Sequence, residues 1–210
     1  MLIINNIIKR FNFNPILSDL NLEVNKGEVV QILGSNGCGK STLLKIIAGI
    51  LRPESGKISI DNKDLLSRDC ESKKHIIYWG HQPMLYPHLT TYENLVFFLK
   101  LRNQSIPENI DSILDSVNLI NFKNVQCDNF SQGMFQRFNL LRFIISDWNL
   151  GLMDEPFSGL DSSGEKLLLN KIESWKSSNK SMIITSHNSD RLKNLRSSSY
   201  ELIHQNLVKI

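Results

Sequence analysis

The sequence predicts an α/β protein whose parallel-sheet core is preceded by antiparallel β-strands and interrupted by an inserted helical segment. Three observations support this fold class. Strand-like runs dominate the chain up to about residue 79, the apolar spacing becomes helical from Thr90, and strand character returns at 150–153 and 181–185. Strands that alternate with helices are typical of a parallel sheet. We therefore expect one domain over residues 1–210, with a helical subdomain at about 86–148.

The elements follow from apolar spacing and from turn and cap residues. Apolar runs bounded by Gly, Pro and Asn predict the early strands at 2–10, 16–24, 28–33, 57–60 and 76–79. Thr90 with Glu93, and Ser162 with Glu165, fit the capping box that begins a helix. Helices are predicted from Thr90, at about 107–117, from Ser131 to about 145, and from Ser162.

The composition excludes several classes of protein. Hydrophobic residues make up 41% and charged residues 21% of the 210, as in an ordinary globular domain. The net charge of +3 is too small to indicate nucleic-acid binding. Three scattered cysteines fit a reducing compartment better than a disulfide framework. Charged residues interrupt each apolar run before it reaches the roughly 18 residues that a membrane-spanning helix needs, so no span is predicted.

Residues 34–42 fit the phosphate-binding pattern G-x-x-x-x-G-K-[ST] between a predicted strand and a predicted helix. Glycines let backbone N–H groups point at phosphate oxygens, and the helix N-terminus adds positive potential. Lys40 is expected to reach the β- and γ-phosphates and Ser41 to hold Mg²⁺, while in the empty loop Lys40 should face solvent. A loop that merely joins a strand to a helix is the alternative. The candidate nucleotide-binding residues are Gly34, Ser35, Asn36, Gly37, Cys38, Gly39, Lys40, Ser41 and Thr42.

Four polar residues follow predicted strands and are candidates for catalysis. Asp154 and Glu155 end an apolar strand, where one carboxylate can hold Mg²⁺ and the other can polarise an attacking water. Gln82 could reach both the Mg²⁺ and the attacking water with its neutral amide, and His187 could contact the γ-phosphate. Singly, each has a plain alternative: acid pairs often begin loops, a lone Gln is usually solvated, and His often sits satisfied at a strand end.

The segment Ser131-Gln132-Gly133-Met134 opens a predicted helix. Its hydroxyl and free backbone N–H groups lie at a positive helix terminus, which suits an anion. Ser is also a common helix cap, so this segment alone is a weak signal.

Taken in order, these motifs resemble the ATP-binding cassette family over essentially the whole chain. The matching segments, from the aromatic loop to the histidine loop, are Phe11, 34–42, Gln82, 131–134, 150–155, Ser158-Gly159-Leu160-Asp161 and His187. The resemblance implies a RecA-like P-loop NTPase fold that hydrolyses ATP with Mg²⁺ held by Ser41, Gln82 and Asp154. It also implies catalysis by Glu155, His187 and Gln82, and adenine stacking on Phe11, for which Phe13 is the neighbouring alternative. The signature departs from the family pattern at Phe130, Gln132 and Met134.

The resemblance further implies partners. Two cassettes would pair head to tail, most simply as a homodimer, so that Ser131, Gln132, Gly133 and Met134 of one close over the nucleotide of the other. Integral membrane permease subunits would receive the coupled movement, at the cytoplasmic face of the inner membrane, and no nucleic acid is implied. The segment that includes Met84, Leu85, Tyr86, Phe97 and Phe98 is expected to form the groove for that membrane partner.

Within the family, two groups are similar to this chain. Residues 80–83, 89–95 and 154–161 are similar to haem exporters of cytochrome c maturation, whereas 134–137 look more like drug or polysaccharide export cassettes. A general export cassette, including lipoprotein export, is therefore the alternative to haem export. A P-loop kinase would share residues 34–42 but has no use for the signature or for Glu155, and a non-transport cassette protein would carry two cassettes or a long coiled coil.

Overall fold

The computed structural model describes residues 1–67, 71–81 and 84–210, with the backbone alone for Ser72. The described chain forms two compact units. The first contains Met1–Trp79, Trp148–Glu155 and Glu173–Ile210, and the second contains Gly80–Asp147 and Pro156–Ile172. Gln82, one of the predicted site residues, lies outside the described residues.

The first unit contains two β-sheets. Strands β1 (Leu2–Phe11), β2 (Asn14–Val24), β4 (Ser55–Ile60) and β5 (Lys63–Asp64) form an antiparallel sheet in the order β2-β1-β4-β5. The other sheet has the order β10-β9-β3-β8-β7-β6. Its strands are β3 (Val29–Leu33), β6 (Ile76–Trp79), β7 (Leu150–Asp154), β8 (Ser181–Thr185), β9 (Ser198–Ile203) and β10 (Asn206–Lys209). All neighbours in it are parallel except β9 and β10. The predicted α/β class, with a parallel core and an antiparallel N-terminal sheet, is confirmed.

Two neighbouring strands of the parallel core, β7 and the edge strand β6, are buried along their whole length. Every residue of β6 and β7 is buried, which is why these strands read as continuous apolar runs rather than as alternating patterns. Helix α1 (Lys40–Ile47) follows β3 and adds the fully buried Leu43, Leu44 and Ile46 to the same core. Because β3, β7 and β8 are parallel, the polar residues that follow them meet at one edge of the sheet.

The second unit is helical. It contains α2 (Thr91–Leu101), α3 (Ile110–Ser116), α4 (Gln132–Ile145) and the start of α5 (Ser162–Ser177), and α4 contacts both α2 and α3. The capping box of α2 is confirmed, since Thr90 accepts the N–H of Glu93 and Glu93 accepts the N–H of Thr90. Among the described ranges, every helix falls short of the length and apolar character that a membrane span requires.

Two local predictions were wrong, and one hairpin was missed. The cap of α5 is the Asp161 side chain, which accepts the N–H of Gly164, and not a capping box begun by Ser162. The helix predicted at 107–117 is the shorter α3, which starts three residues after Pro107. The hairpin of β9 and β10 was not predicted, because its turn residues His204 and Gln205 adopt positive φ without a glycine.

Candidate functional site

The loop Gly34–Thr42 joins β3 to α1, where the sequence pattern predicts it. Gly39 is the residue before α1 and adopts φ 115°, a left-handed conformation that favours glycine. A Cβ atom there would also lie 3.0 Å from Cγ2 of Ile16. Ser35, Asn36 and Gly37 are exposed, and Ser41 is half-buried. The loop can therefore present backbone N–H groups to a phosphate at the start of a helix.

Lys40 lies inside the loop and does not face solvent, so that expectation was wrong. Its side chain is only 6% exposed. The ammonium donates to the backbone oxygens of Gly34 at 2.7 Å and Ser35 at 3.1 Å. It also lies 3.7 Å from Oε1 of Glu155. The loop backbone thus folds around its own lysine and aims it at the acid that follows β7.

Asp154 is the last residue of β7 and is buried. Oδ1 accepts the hydroxyl hydrogen of Thr185 at 2.9 Å, whereas Oδ2 is buried without a hydrogen-bond partner among the described residues. A buried carboxylate oxygen without a protein partner fits a cation ligand. Mg²⁺ is held through one or two carboxylates together with substrate phosphates and water. The donors present therefore fit Mg²⁺, although the described residues contain no cluster of three or more His, Cys, Asp and Glu side chains that could hold a metal alone.

Glu155 and His187 are brought together. Oε1 of Glu155 lies 3.1 Å from Nε2 of His187, and Glu155 is 20% exposed while His187 is 48% exposed. Oε1 of Glu155 is buried, and neither His187 nor Lys40 donates an aligned hydrogen bond to it. Among the described residues this oxygen has no hydrogen-bond partner, so it retains its capacity to accept one. Glu155 also has φ 50°, an uncommon value for a residue with a side chain. Such local strain is concentrated at functional sites.

Thr185 is a site residue that the sequence reasoning missed. It pairs with Asp154 across the parallel strands β7 and β8. Its hydroxyl donates to Asp154 and accepts the backbone N–H of Glu155 at 3.0 Å. One buried side chain therefore orients both acids. A signal was available, because Thr185 ends a strand two residues before His187.

In the second unit, the signature segment and the segment Ser158–Asp161 are packed together. Ser131 caps α4 by accepting the N–H of Met134 at 3.3 Å. A Cβ atom on Gly133 would lie 3.1 Å from the backbone oxygen of Gly159, so the two glycines approach closely. Arg137 joins the same segments, donating to Asp161 at 2.5 Å. Asp161 is thereby held in place, and its pKa is lowered mainly by the Ser163 hydroxyl and the Gly164 N–H.

Phe11 ends β1, and Phe13 lies in the turn between β1 and β2. Asn12 and Phe13 both have positive φ, as a two-residue hairpin turn of type I′ requires. Phe13 is 96% exposed, whereas Phe11 is 45% exposed and has the Lys9 ammonium 5.1 Å from its ring centroid. Both rings are accessible for stacking, so the assignment to Phe11 stays a prediction.

The second unit also contains a largely apolar groove, with a cavity volume of about 480 Å³. Its lining residues are Met84, Leu85, Tyr86, Asn94, Phe97, Phe98, Leu101, Arg102 and Arg142. Met84 is 50% and Tyr86 55% exposed, and the Tyr86 ring packs edge-on against Phe97 with centroids 4.9 Å apart. This groove, which we call the Met84 groove, contains all five residues predicted to face a membrane partner.

Comparison with known proteins identifies the family. A sequence model described as ABC transporter matches residues 17–158. A solved structure of the ATP binding subunit of an ABC transporter is 26% identical, superposes with a TM-score of 0.88 and covers 100% of this chain and 89% of its own. A dimeric ATP-binding cassette bound to ADP and Pi has the same TM-score at 23% identity, which shows the fold alone.

Curated relatives differ in what they are named for. The Fe(3+) ions import ATP-binding protein of Vibrio cholerae is 35% identical over 77% of this chain, and the chain spans only 46% of that relative. The Bacillus subtilis ABC transporter ATP-binding protein NatA is 34% identical over 80% of this chain and 70% of its own length. The Histophilus somni cytochrome c biogenesis ATP-binding export protein CcmA is 32% identical over 90% of this chain and 89% of its own. With the matched family segment and the fold of an ATP-binding subunit, the chain belongs to the ABC transporter family.

Proposed function

We propose that this chain is the ATP-hydrolysing subunit of an ABC transporter. The observation that carries the proposal is the convergence of Lys40, Glu155 and His187 beside the phosphate-binding loop. Oε1 of Glu155 lies 3.7 Å from Nζ of Lys40 and 3.1 Å from Nε2 of His187. A cation aimed from a glycine loop and an accepting carboxylate are the parts that phosphoryl transfer to water needs. A P-loop kinase is disfavoured, because phosphoryl transfer to a second substrate has no use for Glu155 or for the signature segment.

Each residue has a role in this proposal. Backbone N–H groups of residues 34–42 and the Lys40 ammonium hold the phosphates. Asp154, Ser41 and Gln82 hold Mg²⁺, which when bound neutralises charge on the phosphate oxygens. Glu155 accepts the proton of the attacking water, and His187 orients that carboxylate and contacts the γ-phosphate. Phe11 stacks on the adenine.

The signature is proposed to act across a dimer of this chain. Ser131 retains a hydroxyl, and Gly133 retains a bare backbone N–H in the first turn of α4. Both features suit a γ-phosphate, although the neighbouring positions depart from the family pattern. The close packing of Gly133 on Gly159 would bring Ser158–Asp161 to the same interface. A homodimer would then contain two composite sites.

Mixing two inactive variants tests this arrangement. Ser131→Arg blocks closure over the partner's nucleotide, while Lys40→Ala weakens phosphate binding within a subunit. In a mixed dimer one site carries both defects and the other carries none. We expect each variant alone to be inactive in ATP turnover without any acceptor, and the mixture to regain part of the wild-type rate. Confirmed mixed dimers with no regained turnover would contradict the trans site.

The membrane partner is proposed to dock in the Met84 groove. Exposed Met84 and Tyr86 supply adaptable apolar contacts on a segment that is not needed for burial in the core. We expect Met84→Glu or Tyr86→Glu to leave basal ATP turnover intact and to release the chain from membranes of the cells that make it. Val208→Glu, at an apolar residue outside the groove that is 48% exposed, is the matched control.

For the transported substrate, we propose haem export for c-type cytochrome maturation at the inner membrane. The support is that similarity to the cytochrome c biogenesis relative extends over 90% of this chain, against 77% for the Fe(3+) import relative. General export is the second candidate, favoured by residues 134–137, which look more like drug or polysaccharide export cassettes. Replacing the chromosomal copy with Glu155→Gln should abolish covalent haem in c-type cytochromes, measured by haem staining of membrane proteins. Normal staining would exclude haem export.

A further inference from the structure

Arg142 is a buried cation in the wall of the Met84 groove. Its side chain is only 6% exposed, although it lines the groove. Nη1 donates to Oδ1 of Asn139 at 3.1 Å, and the guanidinium carbon lies 4.3 Å from the ring centroid of Phe98. Nε is buried and has no hydrogen-bond partner in the part of the chain that the structure describes. Neither contact supplies a negative charge.

A second guanidinium increases the positive charge at this point. Arg102 also lies against Phe98, 5.7 Å from its centroid, and donates to the backbone oxygen of Asp147 at 2.9 Å. Asp147 raises the pKa of Arg102, although burial lowers it overall. For Arg142, burial and the neighbouring Arg102 lower the pKa to about 10, so the Arg142 guanidinium remains charged at neutral pH. Within the described residues, no carboxylate lies within ion-pair distance of Arg142.

An unpaired buried cation is costly. Taking a charge out of water is unfavourable unless an opposite charge and hydrogen bonds compensate it. The stacking on Phe98 offsets only part of that cost. The rest of the groove is mostly apolar, so an occupant that brought only apolar surface would bury Arg142 further without compensation. An occupant with a carboxylate would remove the cost.

We propose that the Met84 groove binds a segment of the membrane partner that places an Asp or Glu carboxylate against Arg142, flanked by apolar side chains against Met84 and Tyr86. This inference rests on the proposed docking of the membrane partner in the groove. It adds the chemistry of the docking segment, because charge complementarity requires an acid at one position of it. Arg142 then acts as a determinant of which permease the chain joins.

The test measures binding of the purified chain to membrane vesicles. The vesicles come from cells that make this chain and are stripped of it with alkali. One half of them is amidated with a carbodiimide and glycine methyl ester, which neutralises exposed carboxylates. We expect wild type to bind untreated vesicles, and amidation or Arg142→Met each to weaken binding roughly 30-fold, as loss of one partner of a buried charge pair does. The two changes together should weaken binding no further than either alone.

Two variants guard against a purely structural effect. Lys100→Met removes an exposed cation from α2, outside the groove lining, and should bind like wild type. Arg142→Lys keeps the cation and should remain sensitive to amidation. Arg142→Met should melt no lower than wild type, since it removes an unpaired charge.

Three results would overturn the inference. If Arg142→Met bound the vesicles as tightly as wild type does, Arg142 would have no acidic partner. If amidation did not weaken binding of Arg142→Lys, the same conclusion would hold even if the methionine variant unfolded. Equal weakening of wild type and Arg142→Met by amidation would place the acidic contact elsewhere. In each case wild type still binds, so the docking proposal survives. Absence of wild-type binding to untreated vesicles would instead refute the docking proposal itself.

Discussion

The Nζ atom of Lys40 lies 3.7 Å from Oε1 of Glu155. The two residues are 115 positions apart, and the parallel sheet brings them together by placing the end of β7 beside the start of α1. Because the same ammonium also donates to Gly34 and Ser35, a phosphate bound in the loop must compete with two carbonyl oxygens and a carboxylate.

Lys40→Ala should weaken ATP binding by roughly 10- to 100-fold, since a hydrogen bond to a charged group contributes about 1.5–3 kcal/mol. It should also lower the free energy of unfolding, because the buried ammonium holds the loop carbonyls. Nucleotide affinity and denaturant unfolding measure the two effects. Lys45→Ala, on the same helix, is the control, and unchanged affinity in Lys40→Ala would contradict the role of the loop.

Glu155→Gln should reduce ATP hydrolysis by about 10²- to 10⁴-fold, because the amide cannot accept the proton of the attacking water. Binding of ATP should stay equal or become tighter, since the carboxylate no longer pairs with Lys40. Single-turnover hydrolysis and equilibrium binding separate these effects. Glu173→Gln, at an exposed position of α5, is the control, and weaker ATP binding would show that Glu155 holds the nucleotide instead.

Thr185→Val should destabilise the fold by about 1–3 kcal/mol, because it leaves Oδ1 of Asp154 and the N–H of Glu155 without partners. It should also raise the Mg²⁺ concentration needed for half-maximal ATP turnover, since Asp154 is no longer oriented. Thr185→Ser keeps the hydroxyl and should restore both properties. A valine variant with normal Mg²⁺ dependence would limit Thr185 to a packing role.

Phe11→Ala should weaken binding of ATP but not of inorganic triphosphate, because stacking on a base contributes about 1–3 kcal/mol and triphosphate has no base. Phe13→Ala tests the alternative in the same way. The variant that discriminates between the two ligands identifies the stacking ring, and equal binding in both variants would remove the aromatic contact from the proposal.

The features that the sequence predicted correctly are each encoded by residues that lie close together in the chain. Residues 34–42 carry their loop conformation in their own glycines, and Thr90 with Glu93 caps a helix within four residues. The burial of Lys40 was missed because the pattern predicts where its ammonium points when phosphate is bound, and not which backbone oxygens enclose it. Thr185 was missed because its partners come from another strand. The α5 cap was assigned one residue too late, since Asp161 and Ser162 are both suitable cap residues.

The contact between Gly133 and Gly159 constrains how this protein can change over generations. Gly159 has φ 81°, and a Cβ atom there would lie 3.1 Å from Cγ of Gln132, so its replacement is both strained and crowded. A larger residue at Gly133 would meet the Gly159 backbone oxygen in turn. Substitutions at positions 132, 133 and 159 are therefore coupled, because a change at any one position persists only when the others accommodate it.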